Sequence, residues 1–150
     1  MRKTLLIVFC CLAIWGCREA ETAPEAKVMA RAAAFADAYF KYDFETARKM
    51  VTPDSEKWLR FAASNVTQED VDLLNAQEVD ATVVAEDYER WNDSTLVVTV
   101  TVSNFLKKDS LGKEGVMTDE ATFRLTAIEH EGDYRIRMEG LPRSERQSRD

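Results

Sequence analysis

Few residues in this chain have the type and spacing to do chemistry. The first is Asp87, at the end of a segment in which Val79, Ala81, Val83 and Ala85 take alternate positions. If that alternation continues, Asp87 shares their apolar face, where partial burial would raise its pKa toward that of a general base. A bulge or strand end after Ala85 would reverse the outcome, turning Tyr88 inward and leaving Asp87 in water beside Glu86 and Glu89. Tyr39 and Trp58 lie on apolar helix faces, where aromatic residues are usually core. His130 is the sole histidine and lies between Glu129 and Glu131; with no second histidine it reads as an exposed turn residue, and neither metal nor cofactor is expected. Arg124, Arg135 and Arg137 share one face of the last two strands, either as a basic patch or as cross-strand partners of acidic residues. The last reactive group is the thiol of Cys17.

Cys17 has a context of its own. Arg2 and Lys3 precede an unbroken apolar run from Leu5 to Gly16, the pattern of a targeting segment. The run is too short to cross a bilayer as a helix, which takes roughly twenty residues. Its end, Ile14-Trp15-Gly16-Cys17, resembles the lipobox of bacterial lipoproteins: an aliphatic residue, a variable one, a small one, then the cysteine to be lipidated. The resemblance implies that residues 1–16 are a removable signal peptide and that Cys17 carries acyl chains, each buried methylene contributing roughly 0.8 kcal/mol to anchoring. An ordinary secretory leader with a coincidental cysteine is the plainer alternative. Residues 17–24 would then be the lipidated cysteine and a short polar tether, 25–141 a single domain, and 142–150 a flexible tail. Arg18, in place of an aspartate after the cysteine, implies the outer membrane of the cell envelope, with the periplasmic or surface side left open.

Composition narrows the partners. The formal net charge is −7 at pH 7, and losing Arg2 and Lys3 with the leader makes it more negative, which disfavours nucleic acid, anionic lipid surfaces and acidic substrates. Cys10 and Cys11 fall within the leader, so no disulfide or thiolate metal site is expected inside the domain. The core alone must hold the fold.

The elements that position these residues start with a long amphipathic helix over Thr22–Tyr42. Thr22 and Glu25 have the spacing of a capping box, and Val28, Ala32, Phe35 and Tyr39 form an apolar stripe. Asp43 can cap a helix from Phe44 to Val51, and Thr52-Pro53 a third to about Ser64, with Trp58, Leu59, Phe61 and Ala62 on its apolar side. Thr67 and Asp70 suggest one more capped turn or two. From Glu78 onward the period becomes two, predicting strands over Val79–Arg90, Thr95–Leu106, Val116–His130 and Tyr134–Glu139. With Glu131-Gly132 as a two-residue turn, Glu129 faces Tyr134, Ala127 faces Ile136 and Leu125 faces Met138, which puts the apolar sets on one side. Lys107–Gly115 reads as a hairpin tip without the glycine spacing of a phosphate loop, and Pro142–Asp150 as a tail that frays.

Helices followed by a four-stranded meander, together with YDFETARKMVTPD after the long helix, resemble small envelope lipoproteins of the nuclear-transport-factor-2-like, cystatin-like cone superfamily. Asp43, Phe44 and Ala47 match its soft motif, and Tyr42 stands where glycine is common. The resemblance implies an α+β fold, N-terminal helices packed on a curved four-stranded antiparallel sheet. It also implies two function classes. One is a non-enzymatic module that binds an envelope protein, a peptide or a small apolar ligand, with a filled or shallow cone and no buried carboxylate. The other is a small-cavity isomerase, dehydratase or cyclase that uses a carboxylate base such as Asp87 and a tyrosine, in a cone that the resemblance implies Tyr39, Trp58, Asp87 and Tyr88 could line. The Thr-rich sheet face also suits a homodimer.

Overall fold

The computed structural model describes residues 23–108 and 112–145, so the leader, Cys17 and Thr22 lie outside the described residues. Helix α1 runs Pro24–Phe40. Its N-cap is Ala23, which makes no side-chain cap bond, and Pro24 and Glu25 lie in the first turn; the expected Thr22–Glu25 box falls partly outside the described residues. The helix ends in a Schellman motif, in which the Tyr42 N–H donates to Tyr39 O at 3.1 Å and the Asp43 N–H to Ala38 O at 2.9 Å. That motif requires a left-handed residue, and Tyr42 supplies it at φ 59°. Only glycine adopts that conformation without steric cost.

Helix α2 spans Phe44–Arg48, and Asp43 caps it by accepting from the Thr46 N–H at 3.1 Å. It stops short of the expected Val51 because the chain there turns extended and joins the sheet. The Ile136 N–H donates to Met50 O at 2.8 Å, and the Thr52 N–H to Ile136 O at 2.9 Å. A 3-10 turn over Pro53–Ser55 leads into α3, Glu56–Ser64. Buried Ser55 fixes this corner, its hydroxyl accepting from the Met138 N–H at 2.8 Å. Helix α4, Gln68–Asn75, has the full capping box, with the Asp70 N–H donating to Thr67 Oγ1 and the Thr67 N–H to Asp70 Oδ2.

Four strands follow in order β1-β2-β3-β4 as an antiparallel meander: β1 Thr82–Arg90, β2 Thr95–Lys107, β3 Val116–His130 and β4 Asp133–Arg137. The fold is therefore α+β, helices packed on a four-stranded antiparallel sheet, as expected. Both residues of the β3–β4 turn, Glu131 and Gly132, have positive φ, the geometry that matches strand twist in a two-residue hairpin. The register pairs Glu129 with Tyr134 and Ala127 with Ile136. Leu125 has no such partner, because β4 ends at Arg137 and Met138 turns to Ser55.

Along β2, Leu96, Val98, Val100 and Val102 face α1 and are buried. Asn104, at φ 54°, shifts the alternation, so that Phe105 reaches the core. Val79, expected in β1 and inward, is exposed ahead of the strand. The tail also departs from expectation. Ser144 bridges to Phe123 and the Glu145 N–H donates to Thr122 O at 2.8 Å, which docks residues to 145; residues 146–150 lie outside the described set. No helix among the described residues is long and apolar enough to cross a membrane.

Candidate ligand-binding site

The position of Asp87 is decided by one residue. Ala85 pairs with Val100 but Asp87 pairs with Thr99, so Glu86 is the extra residue of a β-bulge. Beyond it the parity reverses. Tyr88 pairs with Val98 on the core side, although it remains 38 % exposed, and Asp87 joins the outer face with Thr99. The Asp87 carboxylate is exposed and accepts from the Tyr88 N–H at 2.8 Å. Of the two arrangements the sequence allows, the bulge after Ala85 is the one present, and it turns Tyr88 to the core side and Asp87 to the outer face.

The other cavity candidates do not converge with it. Tyr39 is core: its ring stacks on Phe35 with centroids 5.7 Å apart and meets Phe40 and Phe44 edge-on at 5.1 and 5.7 Å. Burial pushes its hydroxyl above the ordinary tyrosine range. Trp58 is half-buried on α3, with Phe61 edge-on at 6.3 Å and the Lys57 ammonium 5.5 Å from its ring centre. Phe61, expected on the buried side, is 38 % exposed. Among the described residues no ring contact links Tyr39, Trp58 and Tyr88.

The interior between helix α1 and the sheet carries aromatic rings. Phe40, Phe105 and Phe123 contact one another with centroids 4.5 to 5.7 Å apart, and all three are buried. Two open grooves lie outside this core. One, of about 310 Å³, runs along Ala26, Ala30 and Ala34 beside the Arg31–Asp133 ion pair at 2.9 Å. The other, of about 250 Å³, is lined by residues including Val79, Asn104, Met117 and Asp119.

One carboxylate is fully buried after all, and it is Asp70. Its Oδ2 accepts from Lys108 Nζ at 2.5 Å and from the Thr67 N–H at 2.9 Å; its Oδ1 accepts from the Gly115 N–H at 2.8 Å. Burial alone would raise its pKa, but the Lys108 ammonium and these N–H donors outweigh that and hold it at about 2. Asp70 is therefore an acceptor that fastens α4 to both ends of the β2–β3 connection, a geometry unlike that of a proton-abstracting base. Sequence reasoning found its local capping role and missed Lys108, 38 residues away.

The basic trio sits as expected on the outer face, with Arg124 opposite Thr99, Arg135 opposite Ile128 and Arg137 opposite Thr126. Each arginine has a partner. Arg124 meets Glu89 at 3.1 Å and Glu145 at 3.8 Å, Arg137 meets Glu139 at 3.2 Å, and Arg135 donates to Val51 O at 3.3 Å. This is pairing on the protein's own surface. His130 is exposed at the β3–β4 turn, 3.9 Å from Glu131, and the described residues hold no cluster of three metal-ligating side chains.

No family model matches the chain, and no curated protein matches it. Among solved structures it is similar to an "Ntf2 like protein involved in plasmid conjugation", at 14% sequence identity and a TM-score of 0.42. The match covers 83% of this chain and 50% of that one. The chain thus spans about half the length of that protein.

Proposed function

We propose that this chain is a lipid-anchored module of a bacterial cell envelope that binds a partner protein, a peptide or a small apolar ligand. The observation that carries the binding half is the mutual packing of Phe40, Phe105 and Phe123, which fills the interior between α1 and strands β2 and β3 with side chains. The alternative isomerase, dehydratase or cyclase needs an inward carboxylate free to take a proton; the bulge at Glu86 turns Asp87 outward, and Asp70, although buried, is already bound by Lys108 and by the Thr67 and Gly115 N–H groups. The anchoring half is supported by the sequence Ile14-Trp15-Gly16-Cys17 behind its apolar run. Arg18 in the position after the cysteine favours the outer membrane. A second copy pairing through the Thr-rich outer face of the sheet is part of the same proposal.

The test is palmitate labelling of the full chain in a bacterial host. The expected result is label in the native chain, none in Cys17→Ser, and sedimentation of only the native chain with outer membrane. An unlabelled native chain overturns the anchor. Light scattering that gives one copy per particle removes the dimer. Native mass spectrometry tests the filled interior, which is overturned by a stoichiometric small molecule retained in the protein and released only on unfolding.

A further inference from the structure

Strand β3 is the longest of the sheet, and β4 covers only part of it. The partner of Arg137, where β4 ends, is Thr126. Further along, the edge is taken up by a later part of the chain, where Ser144 bridges to Phe123 and the Glu145 N–H donates to Thr122 O at 2.8 Å. From Ala121 back to Val116 no strand lies on this side among the described residues.

The bonds on either side of β3 show which backbone groups that leaves open. In an antiparallel ladder the N–H and C=O of one residue point the same way, and successive residues alternate. The Glu129 N–H turns toward β2 and meets Ser94 O at 2.8 Å, whereas the Thr122 C=O turns the opposite way, to Glu145. The two-residue repeat therefore aims the backbone of Glu120 and Thr118 at the open side, in line with Thr122. The Val116 carbonyl takes a local bond from the Thr118 hydroxyl at 3.1 Å.

A row of unpaired N–H and C=O groups is a template for an extended chain, and side chains decide which chain. Val116 and Met117 are 66 % and 40 % exposed. Asp119 and Glu120 are exposed and make no ion pair among the described residues. The nearest cations, Lys113 in sequence and Lys107 opposite Val116, lie at the other end of the stretch. A segment laid antiparallel, as Ser144 and Glu145 already are, puts two successive side chains opposite Glu120 and Asp119 and, after one more, two opposite Met117 and Val116. Cations in the first pair and apolar groups in the second match this edge. The protein's own sequence does not: carried on from the Phe123–Ser144 bridge, it offers Gln147 and Ser148 to the carboxylates and Asp150 to Met117. The same edge of a second copy brings the same carboxylates.

We propose that Val116–Ala121 is a docking edge for an extended segment of a partner protein, added antiparallel to β3, with two adjacent basic residues followed, one position on, by two apolar ones. This names the partner class of the binding reading and rests on it. The anchor and the filled interior are read by the palmitate and mass-spectrometry experiments, so failure at this edge is distinguishable from failure of either.

The test mixes the full chain with the synthetic peptide STKRTVVTS and follows amide hydrogen exchange. Exchange at Thr118 and Glu120 should slow at least about tenfold, with Val98–Val102 unchanged. The peptide STEETVVTS, with glutamates in place of both cations, should slow nothing. Asp119→Asn with Glu120→Gln alters only exposed side chains and should weaken binding of STKRTVVTS about fivefold, a difference that vanishes at high salt. The proposal is overturned if the first peptide protects no β3 amide, if both peptides protect equally, or if the variant binds as the native chain does. It is also overturned if Thr118 and Glu120 exchange as slowly as Val100 with no peptide present. Slowing that is lost in a chain ending at Glu145 then assigns the edge to residues 146–150, and slowing that grows with protein concentration assigns it to a second copy.

Discussion

Helices α1 and α4 are attached to the same sheet by opposite means. On α1, Val28, Ala32, Phe35 and Ala36 are completely buried, and Phe40 inserts between Phe105 and Phe123. On α4 the buried group is a single carboxylate with a lysine beside it. Apolar contact is nondirectional and adds over area, so α1 cannot leave without dismantling the core. The α4 attachment depends on a few donors at fixed geometry, so one substitution can release it. A small domain can in this way hold a rigid body and a releasable element in one chain.

The comparison is broken most forcefully from the α1 side. Phe123→Ala removes a ring from the fully packed trio and should cost about 3–5 kcal/mol in urea unfolding, with exchange rising throughout the sheet. An effect confined to one strand would show that the trio is not a single core. Lys108→Met should cost about 2–3 kcal/mol, since Asp70 keeps its N–H donors but loses its counter-charge. Adding Asp70→Asn should recover part of that loss; if the double variant is the less stable of the two, the clasp is not behaving as a buried ion pair.

Acid sharpens the difference further. Asp70 is held at about 2, below its ordinary 3.8, so its stabilisation is fully present above the higher value and disappears as pH falls through the lower one. Protection of the α4 amides should therefore stay level from pH 7 to about 4 and decline from there toward 2, ahead of the β2 amides. Simultaneous loss in both elements would count against separate attachment. Smaller again, Tyr42→Phe deletes the bond to Leu106 O and should lower stability by about 1 kcal/mol. Smallest of all, Asp87→Asn should change stability by no more than about 0.5 kcal/mol, because the carboxylate is exposed on the outer face. A larger change would return Asp87 to consideration as a functional group.

What could be read from the sequence was whatever is specified within a few residues. The Thr67–Asp70 box, the Asp43 cap and the Glu131-Gly132 turn all depend on neighbours, and each is present. The β3–β4 register followed from turn length and parity alone. The bulge at Glu86 was foreseeable as one of two outcomes because continued alternation would put charged Asp87 and Glu89 on the core side, whereas a bulge puts Tyr88 there. Helix α2 was overextended because Met50 and Val51 are apolar at helical spacing, while their real partner is Ile136, far along the chain. The Asp70–Lys108 pair was missed for the same reason, as was the docking of Ser144 and Glu145 on β3. Distance along the chain, more than residue chemistry, separates what was legible from what was not.

The bulge has one more consequence, for the molecule among its own copies. Strand β1 ends the sheet on one side, and an unshielded strand edge invites another chain to stack on it. Glu86 interrupts the even spacing of amides that such stacking needs, and Glu86 and Asp87 add like charges to the same rim. The irregularity that moves Asp87 out of the core thus also makes the rim a poor template for another strand.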